Sequence, residues 1–184
     1  MKAAARSATA AVSPNAGNAV SGSNGSSYRR PAWDDYFIEI AKVVSSRSTC
    51  LRRRYGAVIV KDNVIVSTGY NGGPRGVINC ADTNRCKRKE MNIPSGERYE
   101  LCEAVHAEQN AIVNGSPERM KDATIYVAGF EENGDFAEGK PCLLCSRMIL
   151  NAQIGTVVYL KKDGTLLRIE DTKQLYVPIG TPAS

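Results

Sequence analysis

The sequence predicts an α/β fold in which helices pack on a mixed central sheet, and three observations carry that expectation. Short β-branched runs recur at residues 57–60, 64–66, 123–128 and 157–160. Segments with helical spacing or helix-start signals lie between them. The 184 residues are 42% hydrophobic and 23% charged, enough for one domain with a real core. No run of 18 apolar residues occurs, so no membrane span is expected.

Residues 1–31 are rich in Ala, Ser, Gly and Asn and lack an apolar period, so they are expected to be a disordered, low-complexity tail. Asp34 is the first acidic residue, and Lys2 and Arg6 lie near the start. That leaves an organellar transit peptide as the alternative to a solvated tail, with a cytoplasmic location as the primary expectation. The domain proper is expected over residues 32–178, followed by a short tail, 179–184.

Trp33, Phe37, Ile40, Ala41 and Val44 recur at helical spacing and predict a helix over Trp33–Ser45. Residues 57–60 and 64–66, separated by Lys61-Asp62-Asn63, predict a β-hairpin that ends in the loop Gly69-Tyr70-Asn71-Gly72-Gly73-Pro74. Residues 77–96 have no clean period and carry Arg85, Lys87, Arg88 and Lys89; they are read as a long functional or metal-tied loop. A helix is expected from Glu97 or Glu103 to Val113, stopped by Asn114-Gly115. The strand at 123–128 leads into a polar loop over 130–140. Pro141 is suited to open the next helix, which runs to Ala152, and the strand at 157–160 follows.

Six cysteines and a single histidine bound the chemistry. Without a secretory leader, metal binding or catalysis is a stronger reading of the cysteines than a disulfide framework. His106-Ala107-Glu108 and Pro141-Cys142-Leu143-Leu144-Cys145 each lie at an expected helix start. Together they match the H-x-E and P-C-x-x-C halves of the zinc deaminase signature. Cys142 and Cys145, three residues apart at a helix N-terminus, can turn both sulfurs to one ion, and the helix dipole favours the thiolate form that binds metal. His106 adds a neutral nitrogen. Three protein ligands leave the fourth tetrahedral position of Zn2+ for water, which marks a catalytic site. Zinc lowers the pKa of that water towards ~7. Glu108, two residues beyond His106, can reach the water without ligating the metal and is assigned as the proton shuttle. The blander alternatives are a structural zinc site short of one ligand, or a reduced CxxC near an unrelated histidine.

On these motifs the sequence resembles the cytidine and deoxycytidylate deaminase superfamily, and within it the deoxycytidylate deaminases. The resemblance runs from about Trp33 to Tyr159. It includes Ser48-Thr49-Cys50-Leu51-Arg52-Arg53, Gly56-Ala57-Val58-Ile59-Val60, Gly69-Tyr70-Asn71-Gly72, Ser95-Gly96-Glu97 and His106–Ile112. It implies a three-layer α/β/α cytidine-deaminase-like fold and hydrolysis of dCMP to dUMP and ammonia, with dCTP and dTTP as effectors. It also implies a homo-oligomer, often a hexamer. By the same resemblance Asn71 contacts the sugar or phosphate of the nucleotide and the Ala107 backbone meets the pyrimidine edge. Arg53, with Arg52 beside it, is a candidate for phosphate, because the guanidinium fork matches phosphate geometry; a solvated charge run is the competing reading. Two departures from the family pattern stand out: the segment before Pro141 is longer than usual, and no second aromatic follows Tyr159 shortly.

Some members hold a second, structural zinc. Cys50, Cys80, Cys86 and Cys102 are the candidates here, because four thiolates would close a tetrahedral site and pin the unperiodic loop; scattered free cysteines are the alternative. The net charge of +5 suits an anionic ligand without demanding nucleic acid. A tRNA or other nucleic-acid base deaminase, which needs a continuous basic surface, is the runner-up function. A non-catalytic zinc scaffold is the third, and the presence of Glu108 speaks against it.

Overall fold

The computed structural model describes residues 29–94 and 96–176. Residues 1–28 of the tail expected at 1–31, and all of the tail expected at 179–184, lie outside the described residues. Contacts group Pro31–Ser184 into one compact unit. Within it the elements run α1 (Trp33–Ser45), β1 (Arg53–Lys61), β2 (Val64–Tyr70), α2 (Cys80–Thr83), α3 (Lys87–Glu90), α4 (Ala107–Asn114), α5 (Pro117–Met120), β3 (Thr124–Glu131), α6 (Leu143–Asn151), β4 (Thr156–Leu160) and β5 (Leu166–Ile169). Two 3-10 turns, Tyr99–Leu101 and Thr172–Leu175, complete the set.

The five strands form one sheet in the order β2-β1-β3-β4-β5. β1 pairs antiparallel with β2 and β3, and β4 with β5. β3 and β4 are parallel, joined by α6 as the crossover that such a pair requires. The sheet is therefore mixed, as expected. Between β1 and β2 the turn residues Asp62 and Asn63 have φ of 51° and 60°, left-handed backbone that Asp and Asn tolerate and that matches the twist of a two-residue hairpin.

Alternation along the strands divides the core into two layers. Ala57, Ile59, Ile125, Val127, Val157 and Tyr159 point to one face, against Ala107 and Ala111 of α4, Met120 of α5 and Ile149 of α6. Val58, Val60, Tyr126, Ala128, Val158 and Leu160 point to the other, against Phe37, Ile38 and Ala41 of α1. With both faces covered, β1, β3 and β4 read as nearly continuous apolar runs. Each fully buried Val, Ile or Phe contributes roughly 1.5–3 kcal/mol.

α1 occupies the expected residues, but its buried face is Phe37, Ile38, Ala41 and Ser45. Trp33 is 55% exposed, stacking on Phe37 with ring centroids 5.6 Å apart and meeting Tyr36 edge-on at 6.0 Å. Its helix is anchored through Asp34, whose Oδ1 accepts from Tyr126 Oη at 2.8 Å and whose Oδ1 and Oδ2 both accept from Arg168 Nη1, at 2.8 and 3.0 Å.

Several expected boundaries move. The helix expected from Glu97 or Glu103 begins at Ala107, preceded only by the turn Tyr99–Leu101. The segment 77–96 contains two single-turn helices, α2 and α3, the first capped by the Asn79 side chain accepting from Ala81 N. Pro141 stands two residues before α6, whose N-cap is Cys142. β5 and α5, short elements without a strong period, were not anticipated.

Candidate metal centre

α4 is the first support of the site. It lies across β2, which is an edge strand. Asn110 Nδ2 donates to Tyr70 O at 2.7 Å, Asn114 Nδ2 to Thr68 O at 2.9 Å, and Ser67 Oγ to Ala111 O at 2.7 Å. The two asparagines satisfy β2 carbonyls that would otherwise need water, and Ser67 returns a bond from the strand to the helix. Ahead of α4, Val105 and Gly72 exchange both backbone hydrogen bonds, 2.8 and 3.1 Å. The Gly-Tyr-Asn-Gly segment is thus stitched directly beside His106. His106 is the N-cap of α4, and its backbone N–H donates to Gln109 Oε1 at 2.9 Å.

α6 is the second support. It follows the C-terminal end of β3, the end of a parallel pair where crossover folds place their sites. Its N-cap sulfur, Cys142 Sγ, accepts from Cys145 N at 3.5 Å. The first turns of α4 and α6 therefore face each other. His106 Nδ1 lies 3.3 Å from Cys145 Sγ and 3.5 Å from Cys142 Sγ. The three ligand atoms all fall within 4.8 Å of one another, and Cys145 is fully buried.

This donor set fits Zn2+. One imidazole nitrogen and two sulfurs converge on one point, with no fourth side chain in the group, the pattern of an open zinc site. The Cys142 thiol is brought down to about 4, chiefly by its hydrogen bond with Cys145 and opposed by burial, so a thiolate is at hand. The Cys145 thiol is held high by the same contact and by burial. One proton shared between two adjacent sulfurs is what a cation at this point would displace. His106 is raised by its contact with Cys142.

Glu108, in the first turn of α4, is 7% exposed. Burial raises its pKa, against the lowering pull of its own backbone N–H and of His106. Its interactions reach Cys145 and Cys142, which places the carboxyl alongside the metal ligands. A buried carboxyl whose pKa is raised, set beside a metal site, can both take and give a proton.

Residues 31–161 match the family model described as the cytidine and deoxycytidylate deaminase zinc-binding region. The chain belongs to this family. It is 38% identical over 130 residues to a deoxycytidylate deaminase of Schizosaccharomyces pombe, covering 71% of this chain and 37% of that one. Against the deoxycytidylate deaminase of Mycobacterium phage D29 the identity is 39% over 138 residues, 73% of this chain and 98% of the phage protein. A solved structure, the dCMP deaminase of cyanophage S-TIM5 in apo form, superposes with a TM-score of 0.54 at 28% identity, covering 81% of this chain and 96% of that one. The chain spans little more than a third of the two yeast relatives it matches.

The other expected site residues of this family member are distributed as follows. Asn71 is 7% exposed, and its amide is already engaged: Oδ1 accepts from Ser48 Oγ and Tyr55 N, both at 2.7 Å, and Nδ2 donates to Arg53 O at 2.9 Å. One Nδ2 hydrogen remains for a ligand. Ala107 is fully buried at the start of α4. Arg53 donates from Nε to Glu131 at 2.7 Å and lines an open cleft of about 380 Å³ with Arg52, Lys89, Glu131, Glu132 and Asn133. Cys50, Cys80, Cys86 and Cys102 are free thiols outside the three-residue metal group. The Cys80 thiol is raised first by burial and then by the charges of Cys86 and Cys50, with Glu103 and Cys102 contributing, so these cysteines lie within electrostatic reach of Cys80.

Two residues near the centre had not been singled out for it. Tyr99 meets the His106 ring edge-on, with centroids 5.0 Å apart. Arg88, noted only as part of a basic cluster, lies over the Tyr99 ring, 5.1 Å from its centroid. Neither contact has a sequence signal, because both depend on how the segment 85–101 folds back on α4.

Proposed function

We propose that the chain catalyses the zinc-dependent hydrolytic deamination of dCMP to dUMP with release of ammonia. The observation that carries this reading is the convergence of His106, Cys142 and Cys145 beside the buried carboxyl of Glu108. These three side chains hold the zinc. When bound, zinc supplies the Lewis acidity that makes water a nucleophile near neutral pH.

Glu108 does the proton work. Its carboxylate takes a proton from the attacking water as the oxygen bonds to C4 of the base. The carboxyl then gives that proton to N3; the carboxylate next takes the proton of the new C4 hydroxyl and passes it to the amino group, so that C4=O forms as the C4–N bond breaks and ammonia leaves. The raised pKa suits a group that must alternate between both forms. The Ala107 backbone meets the pyrimidine edge, the free Nδ2 hydrogen of Asn71 reaches the sugar or phosphate, and Arg53 with Arg52 provides positive charge at the neighbouring cleft.

Cys50, Cys80, Cys86 and Cys102 would form a second, structural zinc site that ties the segment 77–102 to the end of α1; the electrostatic reach of the other three to Cys80 supports this. The chain acts as a cytoplasmic homo-oligomer under dCTP and dTTP control. Val113, Leu143 and Leu144 supply exposed apolar surface for assembly. Among the described residues no helix is long and apolar enough to cross a membrane. The deaminase domain extends over residues 32–178.

The deciding experiment is ammonia release from dCMP, dCTP, cytidine and a tRNA substrate, with zinc counted per chain. Preferred turnover of dCMP is expected. Turnover confined to tRNA would move the assignment to the nucleic-acid deaminases, and one zinc per chain would remove the four-cysteine site.

A further inference from the structure

A histidine that ligates a metal through one ring nitrogen ordinarily donates from the other to a carboxylate or carbonyl, which fixes the plane of the ring. His106 turns Nδ1 to the sulfurs. Among the described residues its Nε2 has no hydrogen-bond partner. What meets the ring instead is Tyr99, edge-on at 5.0 Å and 74°.

Tyr99 is itself braced. The Arg88 guanidinium covers its ring at 5.1 Å. Arg88 is only 7% exposed, and Nη2 donates to Pro94 O at 2.7 Å and Glu97 O at 2.5 Å, so the guanidinium is fixed by the backbone of the segment that leads into Tyr99. Its Nε is buried without a partner. A buried cation with an orphaned donor and no carboxylate is costly to keep. The charge of Arg88 is felt at Tyr99 and His106, and also at Glu100.

We propose that Arg88 and Tyr99 are a positioning pair that fixes the His106 imidazole for metal ligation in place of the missing hydrogen bond at Nε2. The inference rests on the reading of His106, Cys142 and Cys145 as zinc ligands. Tyr99 supplies the wall and Arg88 holds it upright. Neither touches the substrate's reacting atoms in this account.

The test uses the zinc-loaded full chain and two readouts: zinc release to a chromogenic chelator, and the visible absorption of the Co2+-substituted protein, which reports ligand geometry. Tyr99→Leu and Arg88→Met should each lose zinc about 10-fold more readily, the low end for a lost outer contact, and shift the cobalt bands. Tyr99→Phe keeps the ring edge and should match the wild type. The double variant should be no worse than either single one, since both act through the same ring. Should Arg88→Met fail to fold, the Tyr99→Leu and Tyr99→Phe comparison decides alone. Wild-type zinc retention and an unshifted cobalt spectrum in Tyr99→Leu, with only thermal stability reduced, would overturn the pair. A wild-type chain that binds no zinc at all would overturn the metal reading beneath it.

Discussion

Gly69 lies so close under α4 that a methyl group on it would sit 2.4 Å from the carbonyl oxygen of Ala107 and 2.2 Å from Ala111 N. Both are backbone atoms of the helix that carries Glu108, so neither can swing aside. Gly69→Ala should cost about 3 kcal/mol, the upper end for overpacking. It should also weaken zinc retention, because α4 must lift away from β2. Thermal melts and metal content of the same preparation check both effects. A melt unchanged from wild type would mean that the helix has slack here.

Asn71 belongs to the motif that the family resemblance assigns to the substrate, yet its amide holds Ser48, Tyr55 and Arg53 together. Asn71→Ala removes the acceptor of the Tyr55 N–H and of the Ser48 hydroxyl, and one donor to the Arg53 carbonyl. A loss of about 2 kcal/mol in urea unfolding is expected, alongside loss of turnover. A pure ligand contact would lower turnover and leave the unfolding midpoint where it was.

How far the site was legible in the sequence follows from these cases. His106, Glu108, Cys142 and Cys145 were readable because helix-start spacing fixes their geometry locally: two N-terminal turns facing one point leave little freedom. α1, the hairpin and the core strands were readable from periodicity. The helix before His106 was misplaced because residues 97–106 have helix-compatible composition but form only the turn Tyr99–Leu101 before Val105 pairs with Gly72, a contact 33 residues apart that no local propensity reports. The structural load on Asn71 and the Arg88–Tyr99–His106 stack were hidden for the same reason.

Burial pushes the Tyr55 hydroxyl up from 10.0 to about 12, while it donates to Glu138 O at 3.1 Å. A group whose folded value is raised contributes stability that is complete below its unfolded value and is lost as pH rises through the folded one. The contribution should therefore be intact below about pH 10 and gone above about pH 12. Tyr55→Phe should flatten the alkaline decline over that window, read as urea midpoints against pH. An identical decline in both proteins would place the effect elsewhere.

Zinc joins the starts of α4 and α6, so removing it should loosen both. At a thousandfold excess over its dissociation constant, a ligand stabilises by about 4 kcal/mol, on the order of 10 °C in Tm for a domain of this size. Chelation should lower Tm by that order and added zinc should restore it. A Tm indifferent to chelator would argue that the three side chains do not bind metal.

The central claim, that a zinc held by His106, Cys142 and Cys145 works with Glu108 as proton carrier, is tested most directly by Glu108→Gln. Zinc content and ammonia release from dCMP are measured on one preparation. The account predicts wild-type zinc and fold with turnover reduced about 10²-fold or more. Turnover within a few-fold of wild type at full zinc content would contradict it.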